Sequence, residues 1–141
     1  RPFRRQRQMC IRDRFKTSGN DDTHIILRGG LEPNYHPKDI ENCRADLEKN
    51  EVNANIMVDF SHGNSQKNHE NQKKVSASIC DQIACGNKDI IGVMIESHLK
   101  EGNQKISEDM EYGKSVTDAC VDWKETKKLL DDLAQAVKAR R

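Results

Sequence analysis

Residues 89–95 (DIIGVMI) are apolar almost throughout and lead directly into the polar Glu96. A short run of this kind, rich in β-branched residues, is typical of a strand covered on both faces, as strands of parallel sheets are. The preceding residues, from about 71 to 85, carry apolar side chains at helical spacing and stop at Gly86, a common residue just past a helix end. Together they predict a helix followed by a buried strand.

The same alternation continues on both sides of this pair. Residues 24–27 (HIIL) and 54–60 (ANIMVDF) predict two further strands, and residues 38–49 predict an exposed helix between them. After a long polar excursion over residues 100–113, an apolar stripe with basic residues at its end predicts a last helix over about 122–141.

Strands that alternate with helices imply an α/β fold with a parallel sheet. A TIM (β/α)8 barrel uses about 250 residues for eight such units. Three units in residues 17–141 therefore correspond to somewhat less than half of a barrel. A small three-layer sandwich is the alternative, but the chain has no GxGxxG phosphate-binding signature to support it.

The net charge of +1 over 141 residues hides two unlike pieces. Residues 1–16 (RPFRRQRQMCIRDRFK) hold seven basic side chains and one acidic one, whereas the rest of the chain is acidic. Such an arm suits a nucleic-acid tether or a transit-like segment, yet it lacks a helical apolar face and interleaved aromatic residues. Because QMCIRDR resembles translated sequencing-adapter DNA, we interpret residues 1–16 as a non-native arm and assign Cys10 no role.

The composition also indicates where in the cell the protein is located. No apolar run approaches the roughly 20 residues needed to cross a bilayer, and no signal peptide opens the chain. Five cysteines, an odd number without a CxxC pair, argue against a disulfide framework and for a reducing compartment. We expect a cytoplasmic protein that binds neither membrane nor nucleic acid. Four cysteines are expected to pack as small apolar side chains, namely Cys43, Cys80, Cys85 and Cys120.

Polar side chains follow each predicted strand, where parallel α/β folds place their active sites. They are Arg28, Asp59, His62, Glu96 and His98, and Asp118 follows the polar excursion. A histidine and two carboxylates on separate loops suit a divalent metal ion, and a neighbouring arginine suits a phosphate or carboxylate.

Each of these residues also has an ordinary structural interpretation. His62 could cap a backbone group, Asp118 could cap the following helix, and Arg28 could pair with a core carboxylate. Glu96 fits such an interpretation less well, because a charge at the end of a buried strand needs a partner. The remaining histidines are expected to be strand or surface residues without a role: His24, His36 and His69.

Eight motifs occur in order along residues 17–141. They are TSGN (17–20), ILRGG (26–30), PNY (33–35), DFSHGNS (59–65), IGVMIESHL (91–99), EGNQ (101–104), YGKSVTDA (112–119) and AQAVKARR (134–141). In this combination the chain resembles class I 3-deoxy-D-arabino-heptulosonate 7-phosphate (DAHP) synthase, also called 3-deoxy-7-phosphoheptulonate synthase. That family opens the shikimate pathway of aromatic amino acid and chorismate biosynthesis.

The resemblance implies a fold, a reaction and a set of site residues. The family folds as a (β/α)8 barrel, of which this chain would be the last three βα units. It condenses phosphoenolpyruvate with erythrose 4-phosphate and water to give DAHP and phosphate. His62, Glu96 and Asp118 would bind one divalent metal ion (Mn, Fe, Co or Zn), and Arg28 would hold phosphoenolpyruvate at its phosphate. The fourth ligand, a cysteine, and most phosphate-binding basic residues would lie outside this chain.

The same resemblance implies that the full-length protein is a homo-oligomer. It also implies that this chain is inactive and poorly folded alone, because three strands leave an open edge and an uncovered core.

Two alternative functions remain. One is a related synthase that joins phosphoenolpyruvate to another sugar phosphate to make an octulosonate, against which SHGNS and YGKSVTDA speak. The other is an inactive fragment that binds nucleic acid through residues 1–16, with salt-sensitive affinity.

Overall fold

One sheet of three parallel strands organises the part of the chain that the structure describes. The computed structural model describes residues 16–20, 22–52 and 54–140. The strands are β1 (His24–Leu27), β2 (Asn55–Asp59) and β3 (Ile90–Met94), in the spatial order β1-β2-β3. Pairing of His24 with Asn55 and of Asp59 with Met94 sets the register and brings all three carboxyl ends to one edge. The predicted α/β fold with parallel strands is confirmed, and Cys10 with most of the basic arm lies outside the described residues.

Three helices alternate with these strands. They are α1 (Pro37–Lys49), α2 (Gln72–Ala84), which follows a 3-10 turn at His69–Asn71, and α3 (Trp123–Arg140). Pro37 suits the first position of α1 because its missing N–H has no partner there. The Asp122 carboxylate accepts a hydrogen bond from the Glu125 N–H at 2.7 Å and so caps the start of α3. No helix within the described ranges is long and apolar enough to span a membrane.

The core lies between one face of the sheet and the helices. Alternate residues of β2 and its extension, Ile56, Val58 and Phe60, are fully buried and belong to one cluster with residues of all three helices. The helical members of that cluster are Ile40, Leu47, Val75, Ile79, Ile83 and Ala136. Because alternate side chains of a strand share a face, this cluster defines the side on which the helices pack.

The opposite face of the sheet is open. Ile26 and Ile91 alternate with core-facing neighbours and are 41% and 59% exposed. The apolar run of β3 predicts cover on both faces, but among the described residues no element packs on this second face, which is the uncovered face expected of three strands alone. Uniformly apolar strands normally have cover on both sides, and among the described residues β3 has it on one side.

The cysteines mostly pack as predicted. Cys120 is buried, and Cys43 and Cys80 lie against the core. Burial raises the pKa of each of these three thiols, and a thiol held protonated is a poor nucleophile and metal ligand. Cys85 differs, because it is exposed just past the end of α2.

Candidate metal centre

The carboxyl edge of the sheet brings three of the predicted site residues together. Nε2 of His62 lies 3.9 Å from Oε1 of Glu96 and 3.6 Å from Oδ2 of Asp118. One ligand atom from each of the three residues lies within 4.8 Å of the others. These residues are called the His62 cluster below. Their proximity follows from the parallel sheet, because His62 follows β2 and Glu96 follows β3 at the same edge.

The His62 cluster is acidic and graded in burial. The His62 side chain is 19% exposed, that of Glu96 30% and that of Asp118 56%. Within the described residues, no lysine or arginine lies at ion-pair distance from either carboxylate. Two carboxylates and an imidazole without a neutralising cation form a donor set that suits a divalent ion with nitrogen and oxygen ligands.

A fully buried carboxylate lies behind the histidine ring. Oδ2 of Asp59 is 2.7 Å from Nδ1 of His62, and Oδ1 of Asp59 accepts a hydrogen bond from the Ser61 N–H at 2.8 Å. The imidazole therefore contacts a carboxylate, in place of the backbone group that it could have capped. Its Nε2 faces the two carboxylates of the cluster.

Arg28 lies beside the same buried carboxylate. Its Nε is 3.8 Å from Oδ2 of Asp59, and its side chain is 62% exposed. Arg28 therefore does lie beside a core carboxylate, as its structural interpretation predicts, but only the Nε side of the guanidinium is involved. The rest of the group remains accessible to an anionic ligand, and a planar guanidinium can hold a phosphate through two parallel hydrogen bonds.

A buried amide ties together the loops that follow β1 and β2. Nδ2 of Asn64 donates to the Leu27 carbonyl at 3.0 Å and to the Asp59 carbonyl at 2.8 Å, and its Oδ1 accepts from the Asn34 N–H at 2.8 Å. Asn34 in turn accepts from the Gly29 N–H at 2.7 Å. The backbones that carry Arg28 and His62 are thus held by one network.

The same two loops touch backbone to backbone. A Cβ at Gly63 would lie 2.7 Å from the Gly29 carbonyl carbon, and one at Gly29 would lie 2.5 Å from the Asn64 nitrogen. Gly29 also has a φ of +74°. Glycine at these positions is what lets the loop of Arg28 approach that of His62 so closely.

The loop after β2 contains three non-glycine residues in the left-handed region. They are His62, Gln66 and Lys67, with φ values of 47°, 54° and 60°. Such residues are uncommon and concentrate at functional sites, where the surrounding structure holds them. Here the Asn71 side chain donates to the Ser65 carbonyl at 2.9 Å and helps to hold the loop.

Glu96 is placed by a second buried amide. Nε2 of Gln72 donates to the Glu96 carbonyl at 3.1 Å, and Oε1 of Gln72 accepts from the Glu96 N–H at 3.0 Å. Gln72 is fully buried at the first position of α2. Sequence reasoning missed both Asn64 and Gln72, whose only signal was a polar residue next to a predicted strand or helix end.

The third ligand candidate lies on a loop that is bonded to the segment around Asn103. The Asn103 side chain donates to the Thr117 carbonyl at 2.8 Å, next to Asp118. Asp118 does not cap the following helix, because Asp122 takes that position. His98 is exposed and its Nδ1 accepts from the Leu99 N–H, so it does not join the cluster.

A second histidine lies among carboxylates. Nε2 of His69 is 3.6 Å from Oε1 of Glu70 and 3.9 Å from Oε2 of Glu101, and these residues form the His69 cluster. Lys73 donates to Oε2 of Glu70 at 3.0 Å. That hydrogen bond lowers the pKa of the Glu70 carboxyl and raises the pKa of Lys73. The expectation that His69 has no assigned role stays a prediction.

Known proteins resemble this chain over most of its length. The sequence model of the DAHP synthetase I family matches residues 5–131, which begins inside the basic arm. The Phe-sensitive phospho-2-dehydro-3-deoxyheptonate aldolase of Escherichia coli K12 is 56% identical over 127 residues, covering 89% of this chain and 36% of the relative. The tyrosine-inhibited enzyme of Schizosaccharomyces pombe is 54% identical over 132 residues, with the same coverage.

A solved structure agrees with the sequence comparison. The phospho-2-dehydro-3-deoxyheptonate aldolase of Francisella tularensis SCHU S4 superposes with a TM-score of 0.86 and 50% identity, over 90% of this chain and 38% of that one. This chain therefore spans little more than a third of the length of the proteins it matches. The boundary at residue 16 stays a prediction.

Proposed function

Because this chain belongs to the DAHP synthetase I family, we propose that it supplies part of the active site of a 3-deoxy-7-phosphoheptulonate synthase. The reaction joins phosphoenolpyruvate to erythrose 4-phosphate, with addition of water and loss of phosphate. The observation that carries the proposal is the His62 cluster, in which three residues from separate loops bring ligand atoms within 4.8 Å. The proposed reaction is the first step of the shikimate pathway.

The residues of the His62 cluster fit one divalent metal ion. His62 has its Nδ1 engaged by Asp59 and its Nε2 directed at Glu96 and Asp118. Such a set of one imidazole and two carboxylates suits several first-row metals, so manganese, iron, cobalt and zinc all remain candidates. When bound, the ion supplies a Lewis acid for the aldehyde of erythrose 4-phosphate.

Arg28 has the position and chemistry for the phosphate of phosphoenolpyruvate. Its guanidinium is mostly exposed, and its Nε lies 3.8 Å from Oδ2 of Asp59. Because the loops of Arg28 and His62 touch at Gly29 and Gly63, a substrate held by Arg28 lies next to the proposed metal position. Holding the two reactants together lowers the entropic barrier of their condensation.

The strands are proposed to be the last three βα units of a (β/α)8 barrel. Exposed Ile26 and Ile91 on the second face of the sheet support their membership of a closed barrel, because a barrel would bury that face among inward-pointing side chains. Their place as the last three units rests on the family resemblance. The chain alone is then inactive, since its sheet keeps open edges. We place the full-length protein in the cytoplasm, in keeping with the free thiols of Cys43, Cys80, Cys85 and Cys120. That it is a homo-oligomer rests on the family resemblance alone.

A chimera tests this proposal. Residues 17–141 replace the matching segment of the Escherichia coli Phe-sensitive enzyme, which supplies the rest of the fold and the ligands that this chain lacks. With manganese, phosphoenolpyruvate and erythrose 4-phosphate, the chimera is expected to release phosphate, whereas the 141-residue chain is not. A folded chimera without turnover contradicts the proposed activity, and turnover by the chain alone contradicts the proposed incompleteness. A five-carbon aldose phosphate serves as the control substrate, and preference for it would favour an octulosonate-forming synthase.

A further inference from the structure

We propose that Asp59 is a positioning residue that holds His62 in the tautomer able to bind a metal. The inference rests on the proposed metal site and adds a residue behind it. Asp59 would act through the imidazole and touch neither metal nor substrate. The contacts of the Asp59 carboxylate support this role.

The hydrogen bond between the two side chains defines the tautomer. An ionised carboxylate only accepts hydrogen bonds, so the 2.7 Å contact between Oδ2 of Asp59 and Nδ1 of His62 requires a proton on Nδ1. A neutral imidazole with its proton on Nδ1 has a lone pair on Nε2. That atom faces Glu96 and Asp118 at 3.9 and 3.6 Å. The free lone pair therefore faces the position between the carboxylates.

The carboxylate itself has little freedom to move. Asp59 is fully buried, and its second oxygen accepts the Ser61 N–H at 2.8 Å. A buried carboxylate is costly unless its oxygens are bonded. This one has one oxygen on the backbone and the other on the imidazole, so the ring's orientation is determined from the core of the protein.

The His69 cluster lacks this arrangement. Among the described residues, no carboxylate bonds Nδ1 of His69, and the nearby Glu70 is occupied by Lys73 at 3.0 Å. Metal-binding histidines usually donate their second N–H to a carboxylate or carbonyl, which fixes the ring and its tautomer. His62 has that partner, which distinguishes it from His69.

The substitution Asp59→Asn separates the two properties of this carboxylate, its shape and its acceptor atoms. If the amide oxygen keeps the Ser61 N–H, the amide nitrogen faces Nδ1 of His62 and donates to it. The imidazole proton must then move to Nε2, where it points at the metal position. The same exchange of aspartate for asparagine leaves the histidine of a Ser-His-Asp protease in the wrong tautomer.

The experiment uses the chimera described above in metal-free form. Manganese affinity is measured by electron paramagnetic resonance of the free ion, and imidazole 15N shifts report the tautomer, with His62 assigned by the loss of its signals in His62→Gln. The parent is expected to carry the proton on Nδ1. Asp59→Asn is expected to carry it on Nε2 and to bind manganese about 10–100-fold more weakly.

The control applies the same substitution elsewhere. Asp89 pairs with Arg44 at 2.8 Å at the opposite end of β3, so Asp89→Asn should leave the tautomer and manganese affinity unchanged. A parent with the proton on Nε2 overturns the inference even if Asp59→Asn does not fold. An Asp59→Asn protein with unchanged affinity, or with weaker affinity and an unchanged tautomer, overturns it as well. If His62→Ala binds manganese as well as the parent, the proposed metal site itself has failed.

Discussion

The His62 cluster and the His69 cluster have the same composition, one histidine and two carboxylates, and each brings its ligand atoms within 4.8 Å. Their surroundings differ. His62 has the buried carboxylate of Asp59 behind its ring, whereas Glu70 of the other cluster already holds Lys73 at 3.0 Å. Composition and spacing alone therefore do not distinguish a metal site from a group of surface ion pairs.

The difference lies in the charged group beside the ligand atoms. Lys73 bonds Oε2 of Glu70, so a metal ion bound at Oε1, the oxygen that faces His69, would lie beside a positive charge. The same hydrogen bond lowers the pKa of the Glu70 carboxyl. The carboxylates of the His62 cluster have no such partner among the described residues. Exposed pairs like Glu70–Lys73 contribute little to stability, so the His69 cluster is best described as part of the solvated surface.

The largest predicted contrast is in metal binding. In the chimera, His62→Ala should weaken manganese affinity by more than about 100-fold and remove turnover, because losing a ligand exceeds the usual effect of losing its hydrogen-bond partner. His69→Ala should leave both unchanged. Titration with manganese and a phosphate-release assay check this, and equal losses in the two variants would remove the distinction between the clusters.

The second contrast concerns the hydrogen bonds that hold the loops of each cluster. Asn64→Ala removes two hydrogen bonds that join the loops after β1 and β2 and a third to the end of β2 itself. It should lower the free energy of unfolding by about 3 kcal/mol because buried groups lose their partners. Near the other cluster, Asn68→Ala removes an exposed bond to the Glu70 N–H and should cost about 1 kcal/mol or less. Urea unfolding of the chimera measures both losses of stability. If the two substitutions lower the free energy of unfolding equally, the loop of His62 is held no more firmly than the loop of His69.

The third contrast tests the placement of Glu96. Gln72→Met keeps a long side chain but removes both bonds to the Glu96 backbone, and should weaken manganese affinity about tenfold. Gln82 is the matched control on the same helix, since its amide donates to the Tyr35 carbonyl away from the site. Gln82→Met should lower stability and leave the affinity unchanged. Equal affinities for the two variants would show that Gln72 does not position Glu96.

The smallest effect is expected at the Glu70–Lys73 pair. Because the Lys73 hydrogen bond lowers the pKa of Glu70 in the folded state, the pair stabilises the protein above the ordinary carboxyl pKa of about 4.3. That contribution is lost as the pH falls through the lowered folded-state pKa. Glu70→Gln should therefore reduce Tm slightly near neutral pH and not at all in strong acid. A Tm difference that grows on acidification would contradict this sign.

Much of the fold followed from the sequence because strands and helices leave local signals. The apolar run of β1 matches its observed bounds, His24–Leu27, and β2 and β3 differ from their predicted bounds by one residue at each end. The apolar run of β3 by itself predicts cover on both faces, and the exposure of its second face could be expected only from the number of strands, since it depends on what packs there. Local apolar content cannot say whether the covering elements are present.

Only part of the candidate site could be predicted from the sequence. His62, Glu96 and Asp118 could be proposed from strand ends and from the family resemblance. Asn64 and Gln72 could not, because their partners lie up to 37 residues away along the chain and a buried amide leaves no periodic pattern. The His69 cluster was missed for a similar reason, since Glu101 approaches His69 only after the chain has folded.

Anomalous diffraction from crystals of the chimera grown with manganese tests the central claim most directly. The predicted result is one peak within bonding distance of Nε2 of His62, with oxygens of Glu96 and Asp118 among its ligands. A peak at the His69 cluster, or no peak at the His62 cluster in crystals that diffract well, would contradict the account.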